Sequence, residues 1–384
     1  MNNSIKKPLI LSQLILGISI VLAGCATPQT RMPSVASGSA AEETKKQQAL
    51  VVEDYMNNYK RLHRVASKIV VEGASMCGDK VGSYYGFNYW NQNSFAFNPS
   101  FKEAAKTRYD LNEQFKILSI APGSPAEKSL FKEGDVLVSI NSWLIPAGKD
   151  IDKQLKQRLI DSGKSLTPVE VAVLRDGTEQ KLSITPIKSC DFTVHLAPDD
   201  VKNAYADGKN IVVYKGMMDF FKTDDEIALV VSHELAHNSM KHIDAKQKNA
   251  TVGGVFGSIL DIAAATAGVN TNGDFMRMGS GLAGNAYSVE FEQEADYVGL
   301  YFMKKAGYEI DNAAGFWRRM AVNNSTAITV KSSHPTTPER FVAIEATVVE
   351  IKAKTANGEQ LIPELKSGFA VKTEPQPIKS AMPI

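Results

Sequence analysis

Net charge, cysteine and long apolar runs are all in short supply in this chain. Its 43 basic and 42 acidic residues leave a formal charge of +1 over 384 residues, which excludes nucleic acid as the main partner. Past the first 25 residues no apolar run is long enough to be read as a membrane span. The best candidate, Gly253 to Val269, is interrupted by Asp261. The three cysteines, Cys25, Cys77 and Cys190, allow one disulfide at most. What is present is apolar material: 43% of the residues are hydrophobic, enough for packed cores, and the length suits two domains of ordinary size.

The beginning of the chain has the layout of an export signal. Lys6 and Lys7 precede an apolar stretch from Leu9 to Ala23, about the length of a signal-peptide core, which ends in Leu22-Ala23-Gly24-Cys25. That ending resembles a bacterial lipobox. The resemblance implies a signal peptide over residues 1–24, lipidation of Cys25 and a membrane partner reached through that lipid. Residue 26 is Ala rather than Asp, which by the same resemblance points to the outer membrane rather than the inner, facing the periplasm. In that oxidising compartment Cys77 and Cys190 are expected to pair. Residues 25–47 carry few large apolar groups and are expected to be a flexible tether.

From Ala49 to Val71 the pattern turns helical, with Val52, Tyr55, Met56, Tyr59, Leu62, Val65, Ala66 and Ile69 at three- and four-residue steps. His63 falls between them as a surface or boundary residue. Residues 77–112 show no firm period and are expected to be connecting strands and loops. Over 113–190 the order is clearer: a strand at Phe115–Ile120, a turn into a short helix at Pro122–Leu130, a strand at Gly134–Asn141, and a helix at Ile151–Ile160. A hairpin follows, Val169–Leu174 and Gln180–Ile184 around Arg175-Asp176-Gly177. This order, with PGSPA followed by EGDVLVSIN, resembles a PDZ domain of the bacterial protease-associated type, which implies an extended peptide taken by strand addition. Asn203–Tyr214 reads as a turn into a strand. The glycine-rich residues 252–286 read as helix and loop, a candidate lid, and residues 354–384 as a polar, proline-containing flexible tail.

The chemistry centres on His233-Glu234-Leu235-Ala236-His237. The apolar run Ile227–Val231 precedes it, and Thr223 and Glu226 form a capping-box pattern ahead of that run, so the motif lies on a helix. Two histidines at i and i+4 project from one face and can share a metal ion. Glu234, about 100° round the helix, reaches a metal-bound water without ligating the metal. A zinc hydrolase needs a third protein ligand and an open position. Glu290, Glu292 and Glu294 compete for it, 53 to 57 residues after His237. Glu292 shares a face with Ala295, Asp296 and Gly299, small residues that let a second helix approach the first, whereas Glu290 and Glu294 read as solvated charge. Asp296 is placed to accept a hydrogen bond from the outer nitrogen of a ligating histidine. His242 lies off the ligand face, and His195 reads as structural.

HELAH followed by S-x-x-x-E-x-E-A-D-x-x-G resembles the gluzincin metalloendopeptidases of the HtpX, BepA and CAAX-prenyl-protease type. Asn203-Ala204 and His334-Pro335-x-x-x-x-Arg340 fit the same pattern. The resemblance covers roughly residues 195–350, and residues 48–75 resemble the helix that opens the family's catalytic domain. It implies an α+β fold: a mainly helical metallopeptidase domain over 191–353 joined by 48–76, with the β-rich PDZ-like domain 113–190 inserted and Cys77 and Cys190 flanking the insertion. It implies one Zn2+ per chain on His233, His237 and Glu292, Glu234 as general base, and protein or peptide substrates, misfolded or misassembled envelope proteins in particular. Arg340 is open between stabilising an oxyanion and pairing with a carboxylate such as Asp296. His334 is open between a structural histidine and a latch on the free zinc position. Oligomeric state is left open, and a chaperone-like factor acting through its PDZ-like unit is the alternative to an enzyme.

Overall fold

The computed structural model describes residues 30–94, 99–148, 151–249, 251, 258, 289–323, 334 and 337–366. The signal peptide, Cys25, nearly all of the glycine-rich segment 252–286 and tail residues 367–384 lie outside the described residues. Helix α1 (Ser39–Glu72) begins inside the stretch expected to be a tether. Ala40, Ala41, Glu42, Glu43, Lys45 and Lys46 offer little apolar surface, yet all have high intrinsic helix propensity. From Val52 the helix buries a stripe that includes Tyr55, Met56, Leu62, Val65, Ala66 and Ile69. A Cβ at Gly73 would stand 2.5 Å from the Phe302 ring, so only glycine fits where α1 ends.

Beyond Cys77 the chain enters a separate β-rich unit and later returns to the same point. Its elements are β1 (Val81–Tyr84), β2 (Phe87–Trp90), α2 (Pro99–Tyr109), β3 (Lys116–Ile120), α3 (Pro125–Lys128), β4 (Val136–Ile140), β5 (Trp143–Leu144), α4 (Ile151–Gly163), β6 (Val169–Arg175), β7 (Thr178–Ile184) and β8 (Ile187–Cys190). Strands β1 and β8 pair antiparallel, and Cys77 is joined to Cys190 with Cα atoms 5.6 Å apart. Between them β2-β3-β4-β6-β7 form one sheet in that order, with β5 added beside β4. The β6–β7 hairpin turns on Asp176 (φ 50°) and Gly177 (φ 78°), the two positive-φ residues a two-residue turn requires. Phe87, Phe115, Ile117, Leu137, Leu155, Val171, Val173 and Ile184 close a hydrophobic core of their own.

The sheet thus starts at Phe87, inside the stretch that shows no sequence period. The register of β2 against β3 shifts between Asn88 and Tyr89, which breaks the alternation a strand would display. The same stretch also contains α2, whose Ala105 packs into the other core.

After β8 come β9 (Thr193–Ala197), β10 (Ala204–Ala206), β11 (Asn210–Tyr214), α5 (Lys215–Phe220), α6 (Asp224–Ser239), α7 (Val289–Lys305), α8 (Ala313–Asn323) and α9 (Pro338–Ala356). The three strands lie in the order β10-β11-β9, with β11 parallel to β9 and antiparallel to β10. Helix α6 is buried from Glu226 to Asn238, its polar residues included. Thr223 Oγ1 caps it by accepting from Glu226 N at 3.4 Å, while the Glu226 carboxylate accepts from Lys222 N at 2.7 Å and pairs with Arg319. After α9, residues up to 366 fold back rather than trail away: Glu364 N donates to Tyr297 Oη, and Lys354 pairs with Glu364. Among the described residues no helix is long and apolar enough to cross a membrane.

Candidate metal centre

Helix α6 supplies His233 and His237, one turn apart, and Glu234 beside them, all buried. Helix α7 supplies Glu292 and Asp296 from the side that packs on it. That packing depends on Gly299: an added Cβ would stand 3.1 Å from the His233 backbone. Ala295, fully buried, keeps the same face small. His334 enters ahead of α9, and Arg340 stands buried in the first turn of α9.

The donor atoms converge. His233 Nε2 lies 3.1 Å from His237 Nε2, 3.4 Å from His334 Nδ1 and 3.5 Å from Glu292 Oε2. His237 Nε2 is 3.4 Å from Glu292 Oε1, and His334 Nδ1 is 3.0 Å from it. A tetrahedral zinc ion with bonds of about 2.0–2.1 Å sets its donors about 3.3–3.4 Å apart. The spacing fits that ion, and the chemistry of the set, three imidazoles and one carboxylate, suits it too. Glu234 adds a second sign: its Oε2 is buried with no hydrogen-bond partner among the described residues.

The electrostatics are arranged around positive charge. Burial works against the Glu292 carboxylate, yet His334, His233 and His237 hold its pKa well below the usual carboxylate range. Burial also disfavours a charged His233, but the hydrogen bonds it donates to the Asp296 and Glu292 carboxylates outweigh that and raise its pKa to about 10. Those two carboxylates supply the negative potential a divalent cation would share. Burial pushes the Glu234 carboxyl pKa above its ordinary value.

His233 Nδ1 faces Asp296 Oδ1 at 3.0 Å, and Arg340 grips the same carboxylate through Nε at 2.8 Å and Nη2 at 2.9 Å. Arg340 Nη1 also reaches Glu292 Oε2 at 2.8 Å. Of the two roles open to Arg340, the geometry has it pairing with carboxylates. His334 Nε2 lies 3.5 Å from Glu234 Oε1, so that ring spans the general-base candidate and the donor set. Trp317 packs on His233 and under the Arg340 guanidinium. His195 is exposed beside Asn210, whereas His63 is partly buried, its Nδ1 2.7 Å from Ser119 Oγ on β3.

Sequence reasoning missed two participants. Glu294, read as solvated charge, accepts from His242 Nε2 at 2.9 Å, and His242 Nδ1 lies 3.0 Å from His237 Nδ1. A histidine five positions beyond a ligand, with a spare carboxylate on the partner helix, was the available signal.

Residues 180–348 match the model of Peptidase family M48. The mitochondrial metalloendopeptidase OMA1 of Schizosaccharomyces pombe is 26% identical over 212 residues, 54% of this chain and 60% of that protein. The beta-barrel assembly-enhancing protease of Yersinia pestis is 28% identical over 139 residues, 34% of this chain and 28% of that protein. The metalloprotease YcaL of Escherichia coli (strain K12) is 27% identical over 199 residues, covering 50% of this chain and 73% of that one. The chain therefore spans 60% or less of the length of the first two relatives. For the part that carries the converging donors, these similarities support a metalloprotease of the M48 type.

Proposed function

We propose that the chain is a zinc metalloendopeptidase held in the bacterial cell envelope by a lipid on Cys25, facing the periplasm, and acting on misfolded or misassembled proteins there. The observation that carries this reading is the convergence of His233, His237, Glu292 and His334, all their ligand atoms within 4.8 Å of one another. His233, His237 and Glu292 are the residues that hold the ion. When bound, zinc supplies Lewis acidity toward a scissile carbonyl and toward water. Glu234 accepts the proton of the attacking water and returns it to the leaving amine; its buried Oε2, without a hydrogen-bond partner among the described residues, is the atom suited to that task. Asp296 and Arg340 fix the His233 ring.

His334 is the regulatory element in this reading. Four protein donors fill a tetrahedral shell, and a catalytic zinc needs one position open. His334 therefore acts as a latch that substrate displaces.

The β-rich unit between β1 and β8 is read as PDZ-like, with β2 at the free edge of its sheet beside α4. A cavity of about 1080 Å³ opens there toward β9, lined by Tyr89, Trp90, Lys156, Leu159, Val194 and His195. Its edge strands suit an extended peptide.

The test is cleavage of a denatured model protein by the purified chain. A chelator should abolish cleavage and zinc should restore it. Cleavage that persists after the metal has been stripped, verified by elemental analysis, would overturn the reading.

A further inference from the structure

His233 and His237 each turn one nitrogen into the centre, but different groups stand behind them. Behind His233 is Asp296, 3.0 Å from Nδ1. A carboxylate only accepts, so Nδ1 carries a proton and Nε2 is the nitrogen turned inward. Behind His237 is a second imidazole. Its Nδ1 lies 3.0 Å from His242 Nδ1, and His242 Nε2 lies 2.9 Å from Glu294 Oε2.

The protons of that chain can be placed in order from the outer end. Glu294 accepts, so the Nε2 proton belongs to His242. With neutral His242, its Nδ1 is then an acceptor, and the proton between the two Nδ1 atoms belongs to His237. This leaves His237 Nε2 as the lone pair turned inward, 3.1 Å from His233 Nε2.

The geometry points to a positioning relay, Glu294–His242–His237, that sets the tautomer and ring orientation of the second zinc ligand. It rests on the zinc reading given above. The fold holds the relay in place. Lys241 adopts a left-handed conformation (φ 59°) just past α6, and this turn brings His242 back against His237. The buried His242 ring stacks on Phe291 at 4.7 Å and meets His237 edge-on at 5.0 Å. Helix α7 thus uses two faces, Glu292 and Asp296 toward the donor set and Phe291 and Glu294 toward His242. The relay also joins the two ends of the chain that bracket the glycine-rich segment 252–286 to a ligand.

The experiment is zinc affinity by competition with a chromogenic chelator, using the full chain with His242→Phe, Glu294→Ala and Glu294→Gln. Phenylalanine at 242 keeps the stack on Phe291 but removes the acceptor for His237. Outer partners of ligating histidines are typically worth about 10- to 100-fold in metal affinity, so His242→Phe and Glu294→Ala should weaken zinc binding by that factor. Glu294→Gln keeps a neutral acceptor and should stay within about threefold of wild type. The metal-free melting temperature of Glu294→Ala, a half-exposed position, should not change. Wild-type affinity in both truncating variants would overturn the relay, as would a loss in Glu294→Ala matched by an equal fall in metal-free stability. If His242→Phe fails to fold, Glu294→Ala decides alone. No zinc uptake by the wild type would instead overturn the zinc reading beneath it.

Discussion

Glu292 and Glu294 stand two residues apart on α7 and have different work in this account. Glu292 is fully buried and touches three imidazoles and Arg340, whereas Glu294 reaches the outer nitrogen of His242. Glu292→Gln should therefore lose zinc by at least about 100-fold in affinity, the upper end of what outer residues contribute, while Glu294→Gln keeps it. Elemental analysis of the two purified variants checks this, and the reverse order would move the ligand. His334→Ala should raise basal cleavage of a peptide substrate, because it removes the fourth donor; an unchanged or lower rate refutes the latch. At this scale much was legible. HExxH fixes its own geometry through helical spacing, and Glu292 follows from sharing a face with Asp296 and Gly299. His242 was not legible, because its place depends on the left-handed turn at Lys241, which no helical period announces.

Between elements, the decisive contact is α6 against α7. Gly299→Ala would set a Cβ 3.1 Å from the His233 backbone, which cannot yield as a flexible side chain would. A loss of about 1–3 kcal/mol is expected, partly offset by alanine's better helix propensity, and thermal denaturation of the variant measures it. A second junction joins α1 to β3 through His63 and Ser119. Burial lowers the His63 pKa from 6.5 to about 4, so between those values the unfolded chain binds a proton that the folded chain refuses. The contribution is present above pH 6.5 and is lost as pH falls toward 4, by at most about 3 kcal/mol. The fall in melting temperature over that window should be smaller in His63→Gln; identical profiles would contradict it. The sequence pattern anticipated α4, α6, α7 and the β6–β7 hairpin, where periodicity or turn chemistry is strong. Strands were expected within residues 77–112, but not that β2, whose alternation is broken by a register shift, opens the sheet of the following unit; helix α2 and the start of α1, where helix propensity operates without an apolar stripe, were missed.

For the whole molecule, the chain leaves the helical core at Cys77 and rejoins it at Cys190, so one bond closes everything between. The two cysteines are 113 residues apart, and a cross-link over a loop of that size stabilises by about 4–5 kcal/mol in the chain-entropy account. Cys77→Ala with Cys190→Ala should lower the melting temperature as strongly as a reductant lowers that of the wild type; no effect of either would mean the loop is held by β1 and β8 alone. The central claim, that zinc and Glu234 together make this chain a peptidase rather than a holder of peptides, is tested most directly by Glu234→Gln, with bound metal and cleavage rate measured on the same preparation. About one zinc per chain is predicted, as in the wild type, with cleavage reduced by roughly 10²- to 10⁴-fold. A variant that cleaves, or that complements a deletion in cells, as well as the wild type would contradict it.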